Sequence, residues 1–77
     1  MSVTIYTTDT CHFCHMAKDY LKSKNVKFKE INVGKDPKAA REMIEKTGQM
    51  GVPVIEINGK IIIGFNRMAI DKALSEK

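Results

Sequence analysis

The cysteines and histidines of this 77-residue chain all fall in one short stretch, Thr10-Cys11-His12-Phe13-Cys14-His15. Just before it, Val3-Thr4-Ile5-Tyr6-Thr7 alternates and is rich in β-branched residues, the pattern of a strand. Just after it, Phe13, Met16, Ala17, Tyr20 and Leu21 recur at helical spacing, to about Lys24. A Cys-x-x-Cys at a strand-to-helix turn of a small α/β chain reads as a redox dithiol. The remaining residues are then the scaffold that holds it and brings a substrate to it.

That scaffold follows in order. Thr8, Asp9 and Thr10 form a polar loop, and Thr10 or Cys11 caps the first helix, which Asn25 stops. Val26 to Val33 predicts a second strand through Val26, Phe28, Ile31 and Val33, whose alternation slips once, as at a bulge. Gly34-Lys35 turns the chain. Asp36-Pro37 then starts a helix that uses Ala40, Met43, Ile44 and Thr47 and ends at Gly48. The loop Gln49-Met50-Gly51 leads through Val52-Pro53 to a third strand, Val54 to Ile57. Asn58-Gly59 is a strong hairpin signal and returns the chain as Lys60 to Ile63. Gly64-Phe65 breaks that strand, and Asn66 caps a last helix with Ala69, Ile70, Ala73 and Leu74 toward the core. The order βαβαββα predicts one domain over residues 1–77. Its sheet is four-stranded and mixed, with strands 1 and 2 parallel, strands 3 and 4 a hairpin, and helices on its two faces.

Composition narrows the function classes. A chain this short buries only about 60–65% of its unfolded surface, so each large apolar residue matters. No run approaches the roughly 18 apolar residues of a membrane span. Met1-Ser2-Val3-Thr4 lacks the basic region and apolar core of a signal peptide. A reducing, cytoplasmic setting is therefore expected, where paired cysteines are catalytic or metal-binding more often than structural. The net charge of +4 (13 Lys/Arg against 9 Asp/Glu) is concentrated between Lys18 and Lys29. It is read as a solvated lysine face, with attraction of an anionic partner as the functional alternative. The few aromatics do not interleave with the basic residues, which argues against a nucleic-acid platform.

The chemistry of a dithiol assigns roles within it. The thiolate is the attacking species, and a helix N-terminus or nearby cation lowers a cysteine's pKa from ~8.5 to between ~3.5 and ~7.5. Cys11 lies at the helix start, where unpaired N–H groups favour an anion. Cys14 lies one turn further in, more buried. Cys11 is therefore expected to attack and Cys14 to resolve, and i to i+3 spacing lets them close a disulfide. His12 could assist Cys11 when protonated or stand as a bystander at the rim. His15 reads as a surface residue, and Asp9 would oppose the thiolate if it came close. Four potential ligands on one helical turn cannot readily surround a metal, so no structural zinc is expected. Val52-Pro53 is either a strand-start proline or a cis peptide that leaves the main chain of Val52 free to bond an extended substrate, with Gly51 removing side-chain bulk.

Taken together, Ile5-Tyr6-Thr7-Thr8-Asp9-Thr10-Cys11-His12-Phe13-Cys14, Val52-Pro53, Asn58-Gly59 and Gly64-Phe65 resemble a small glutaredoxin of the thioredoxin-fold superfamily, over nearly the whole chain. The resemblance implies a glutathione-dependent thiol–disulfide oxidoreductase. Its nucleophile would be Cys11 and its resolving thiol Cys14, with no bound cofactor and glutathione as reducing co-substrate. Phe13, Val52, a cis Pro53 and the turn Gly64-Phe65-Asn66-Arg67 would line the glutathione groove, with Asn66-Arg67 receiving the γ-glutamyl carboxylate. Several positions differ from the family pattern. Thr8 replaces a common Lys, His12 and Phe13 replace Pro and Tyr, and Gly51 replaces Thr. Ile63 to Arg67 replaces a Gly-Gly turn with an acidic pair, where Arg67 would pair a carboxylate instead. Gly64-Phe65 also resembles the glutaredoxin-like electron donors of ribonucleotide reductase, reduced by thioredoxin reductase, for which an exposed Phe65 would be a docking contact; the alternative for Phe65 is a half-packed residue closing the sheet end. A third reading within the family is an iron–sulfur cluster bridged between two subunits. The partners implied are glutathionylated or disulfide-bonded proteins, met by a monomer.

Overall fold

The computed structural model describes residues 2–49 and 51–75, and the loop position assigned to Met50 lies outside them. The elements run β1 (Val3–Thr7), α1 (His12–Ser23), β2 (Lys29–Asn32), α2 (Pro37–Thr47), β3 (Val54–Ile57), β4 (Lys60–Ile63) and α3 (Arg67–Ser75). The expected order βαβαββα is the observed one. The sheet order is β2-β1-β3-β4, with β1 and β2 parallel and the other two pairs antiparallel. Since β3 reverses β1 and β4 reverses β3, β4 runs with β1. The C-terminal ends of β1, β2 and β4 therefore share one end of the sheet with the start of β3. Helices α1 and α3 both begin at that end.

Local chemistry sets the boundaries. Asp36 accepts from the N–H groups of Lys38 and Ala39 and so caps α2, whose C-terminal Gly48 takes the left-handed conformation at φ 75°. Asn25, at φ 57°, ends α1 in the same way. Asn58 and Gly59 both have positive φ, as a two-residue hairpin turn with the twist of its strands requires.

Two cores lie on the two faces of the sheet. Ala17 and Leu21 of α1 with Ile70 and Ala73 of α3 cover Val3, Ile5, Ile55, Ile57 and Ile62. On the other face Met43 of α2 packs on Tyr6 and Val54, with Ile31, Val33 and Val52 around them. Lys46 of α2 donates to Glu56 at 3.0 Å beside this smaller core.

Three sequence expectations change. Phe13 and Met16 are not core residues, being 58% and 39% exposed, whereas the buried stripe of α1 is Cys14, Ala17 and Leu21. Neighbouring helical positions lie about 100° apart, so a stripe through Cys14 turns Phe13 away from the sheet. On α2 the buried alanine is Ala39, with Ala40 at the margin. The second strand is shorter than Val26 to Val33 and needs no bulge. Val26 and Phe28 pack on the α1/α3 side and Ile31 and Val33 on the α2 side. That is unbroken period-two alternation whose apolar residues change face partway along. The change leaves Glu30 and Asn32 as the side chains of β2 on the α1 side.

Candidate functional site

Each helix of the structure has a side chain capping its N-terminus. For α2 it is Asp36, and for α3 it is Asn66, whose Oδ1 accepts from the Ala69 N–H at 3.1 Å. For α1 it is Cys11, whose Sγ accepts from the Cys14 N–H at 3.1 Å. The sulfur thus occupies the place where helices prefer a Ser or Asp oxygen, in the positive field of the helix start. No acidic residue lies in the first turn of α1. Such a place favours an anion once the sulfur is a free thiolate.

Cys11 and Cys14 are joined as a disulfide with Cα atoms 5.2 Å apart, inside the span a disulfide bridges. Cys14 is wholly buried and Cys11 is partly exposed. Only Cys11 therefore meets an incoming sulfur without a change in α1. His12 and Phe13 are exposed and meet edge to face, with ring centroids 5.8 Å apart.

The other expected site residues gather at the same end of the sheet. The Val52–Pro53 peptide is cis and Pro53 is buried. The Gly64 N–H donates to the Pro53 carbonyl at 2.8 Å, which ties the turn after β4 to the loop before β3. Gly64 holds φ 82°, a conformation that a side chain would strain. Val52 is half-buried and precedes the ladder, whose pairing begins at Val54. Gly51 is exposed against the Gln49 side chain, and Thr8 is half-buried at the end of β1. Arg67 is exposed at the first position of α3, and the Oδ1 of Asn66 is engaged as its cap. Of its two readings, Phe65 takes the half-packed position at the end of the sheet. It is half-buried edge to face on Tyr20 of α1, with centroids 5.9 Å apart. A surface hollow of about 440 Å³ lies between β2 and α2 and includes neither cysteine.

Sequence reasoning missed the polar ties that hold the dithiol turn. The buried Thr7 hydroxyl donates to Glu30 at 2.8 Å, and Lys18 of α1 donates to the same carboxylate oxygen at 3.0 Å. Asn32 donates its amide to Asp9 Oδ1 at 2.7 Å, while Lys35 pairs with Asp9 Oδ2 at 3.4 Å. Asn32 two residues before a glycine was a readable Asx-turn signal. Its reach to Asp9 depended on the parallel pairing of β1 with β2.

Hydrogen bonds from Lys18 and then Thr7 hold the Glu30 carboxyl below its ordinary value. A lowered folded-state value contributes stability above the unfolded pKa, and that contribution is lost as pH falls through the lowered value. Glu30→Gln should therefore destabilise at neutral pH by under about 1 kcal/mol, because the pair is partly exposed. The gap to the parent chain should close as pH drops below the ordinary 4.5. Urea midpoints at neutral and acid pH check this, and a gap that widens in acid would contradict it.

Compared with known proteins, residues 3–62 match the Glutaredoxin family model. The "Uncharacterized glutaredoxin-like 8.6 kDa protein in rubredoxin operon" of Clostridium pasteurianum is 49% identical over 74 residues, covering 96% of this chain and 99% of its own. Glutaredoxin 3 of Escherichia coli K12 is 41% identical over 63 residues, covering 82% of this chain and 76% of its own. Among solved structures, the glutaredoxin-like protein NrdH-redoxin from Escherichia coli superposes with a TM-score of 0.83 at 30% identity. That match covers 94% of this chain and 93% of the other. Among the described residues, no helix is long and apolar enough to cross a membrane.

Proposed function

Because the chain belongs to the glutaredoxin family of thiol–disulfide oxidoreductases, we propose that it reduces glutathione mixed disulfides and protein disulfides through Cys11, with glutathione as reductant. The observation that carries this reading is the asymmetric pair, a partly exposed Cys11 sulfur capping α1 and a buried Cys14 beneath it.

In the first step the Cys11 thiolate attacks the glutathione sulfur of a mixed disulfide. The protein's sulfur leaves with the electron pair of the broken S–S bond and takes a proton from solvent. Cys11 is now joined to glutathione. A second glutathione thiolate then attacks that glutathione's sulfur, giving oxidised glutathione and restoring the Cys11 thiolate. Alternatively the Cys14 thiolate attacks Cys11, expels glutathione and forms the Cys11–Cys14 disulfide, which two glutathiones later reduce. Val52 would present its main-chain groups to the extended substrate, with Pro53, Phe13, Gly51 and Thr8 at the groove's sides. Gly64, Phe65, Asn66 and Arg67 would form the far wall, where Arg67 and the α3 start receive a carboxylate. The reaction needs no bound cofactor and suits a cytoplasmic, reducing setting in which the chain works as a monomer.

A second reading is electron donation to a protein disulfide with thioredoxin reductase as the source of electrons. It is favoured by the likeness to NrdH-redoxin, a glutaredoxin-like protein with a thioredoxin-like activity profile. It is favoured also by Thr8, where glutaredoxins commonly carry a lysine. Turnover of a glutathionylated substrate by the parent chain and by Cys14→Ser, with glutathione as sole reductant, separates the two. Retained activity in Cys14→Ser supports the first reading. No turnover by either, with electrons accepted from thioredoxin reductase by the parent chain, supports the second.

A further inference from the structure

We propose that Asn32 is a positioning residue for the dithiol. Its side-chain amide, with the Lys35 ammonium, holds the Asp9 carboxylate off the start of α1 and so protects the ionisation of Cys11. This inference rests on Cys11 being the nucleophile, as proposed above.

Asp9 stands two residues before Cys11 in an exposed loop. A carboxylate there threatens the thiolate in two ways. Its charge disfavours a second negative charge nearby. It is also a better helix cap than a cysteine, and a loose Asp9 could compete for the Cys14 N–H that Cys11 now receives. Both carboxylate oxygens are engaged instead by β2 and the turn after it. One meets Asn32 at 2.7 Å and the other meets Lys35 at 3.4 Å.

Asn32 is suited to the task because it is fixed at every point. Its backbone pairs with Thr7 in the ladder, and its carbonyl accepts from the N–H groups of Lys35 and Asp36. Its Oδ1 accepts from the Gly34 N–H at 2.9 Å, which orients the amide toward Asp9. A Cβ on Gly34 would lie 3.1 Å from that Oδ1, so the bare glycine leaves the amide its room. The other carboxylate on this side of β2, Glu30, is engaged by Lys18 and Thr7. The acids flanking the dithiol on the β2 side are thus held, while His12 and Arg67 are exposed cations or potential cations.

The test is a titration of the ultraviolet thiolate absorbance of Cys11 in the Cys14→Ser background, where it is the sole thiol. Asn32→Ala should lower the ionised fraction at neutral pH by about threefold, the scale of one surface charge interaction at a few ångströms. Adding Asp9→Asn should restore it. Asp9→Asn alone should move the fraction less than Asn32→Ala does, because the held carboxylate is already countered. Lys35→Met, on an exposed side chain that cannot unfold the chain, should lower the fraction by less. An unmoved titration in Asn32→Ala overturns the proposal, and so does a loss that Asp9→Asn fails to restore. The absorbance reads Cys11 whichever reductant serves it, so failure of the glutathione reading would appear in the turnover assay and leave this result intact.

Discussion

Cys11→Ser should lower disulfide exchange by at least about a thousandfold, as loss of a covalent nucleophile does, while the chain stays folded. A serine oxygen can still cap α1, because hydroxyls are preferred caps, so the helix keeps its acceptor for the Cys14 N–H. What disappears is the polarisable thiolate that attacks sulfur. Circular dichroism and turnover of a glutathionylated substrate, measured on the same preparation, separate the two effects. Full activity in Cys11→Ser would reverse the roles given to the cysteines. It would also require the wholly buried Cys14 to reach a substrate sulfur, which the burial of α1 against β1 opposes.

The second large effect concerns the scaffold. Leu21 is wholly buried in the cluster that joins α1, α3 and the sheet. Leu21→Ala should cost about 3 kcal/mol, the transfer of its methyl groups plus the cavity they leave. Against a total of roughly 4–12 kcal/mol for a chain of this length, that is a large share, and the melting temperature should fall by about 12–24 °C. Met16→Ala, at a residue 39% exposed on the same helix, should cost under about 0.5 kcal/mol. Urea midpoints with unchanged slopes give both numbers. Equal losses at the two sites would mean that the buried stripe of α1 is not Cys14, Ala17 and Leu21.

Those two residues show where periodicity stops being informative. Phe13, Met16, Ala17, Tyr20 and Leu21 all satisfy helical spacing, and a stripe drawn through them is wide enough to include the flank as well as the centre. Only the position of the sheet under α1 decides that Leu21 is core and Met16 is rim. Strand β2 teaches the same lesson from the other side. The slip between Phe28 and Ile31 looks like a bulge when one buried face is assumed. With apolar layers on both faces of the sheet the period never breaks. Phe65 was legible as a turn residue after β4, but its direction was not, since Tyr20 comes from an element 45 positions earlier in the sequence. Thr8 and Gly51 lie at the expected end of the sheet.

The sequence by itself determined the features that depend on neighbours along the chain. The strand-to-helix turn carrying Cys11 and Cys14, the Asp36 and Asn66 caps, the Asn58-Gly59 hairpin and the βαβαββα order all follow from side chains acting within a few residues. Short-range hydrogen bonds and backbone preferences decide such features before any distant contact forms. The tertiary structure alone decided which sheet face each apolar residue of β2 serves and where Asp9 and Glu30 send their charges. Those outcomes depend on laying β2 beside β1 in one register, which brings Asn32 to Asp9 and Glu30 to Thr7 and Lys18 across 23, 23 and 12 residues of sequence. A one-residue slip would turn both β2 side chains to the other face and release both carboxylates.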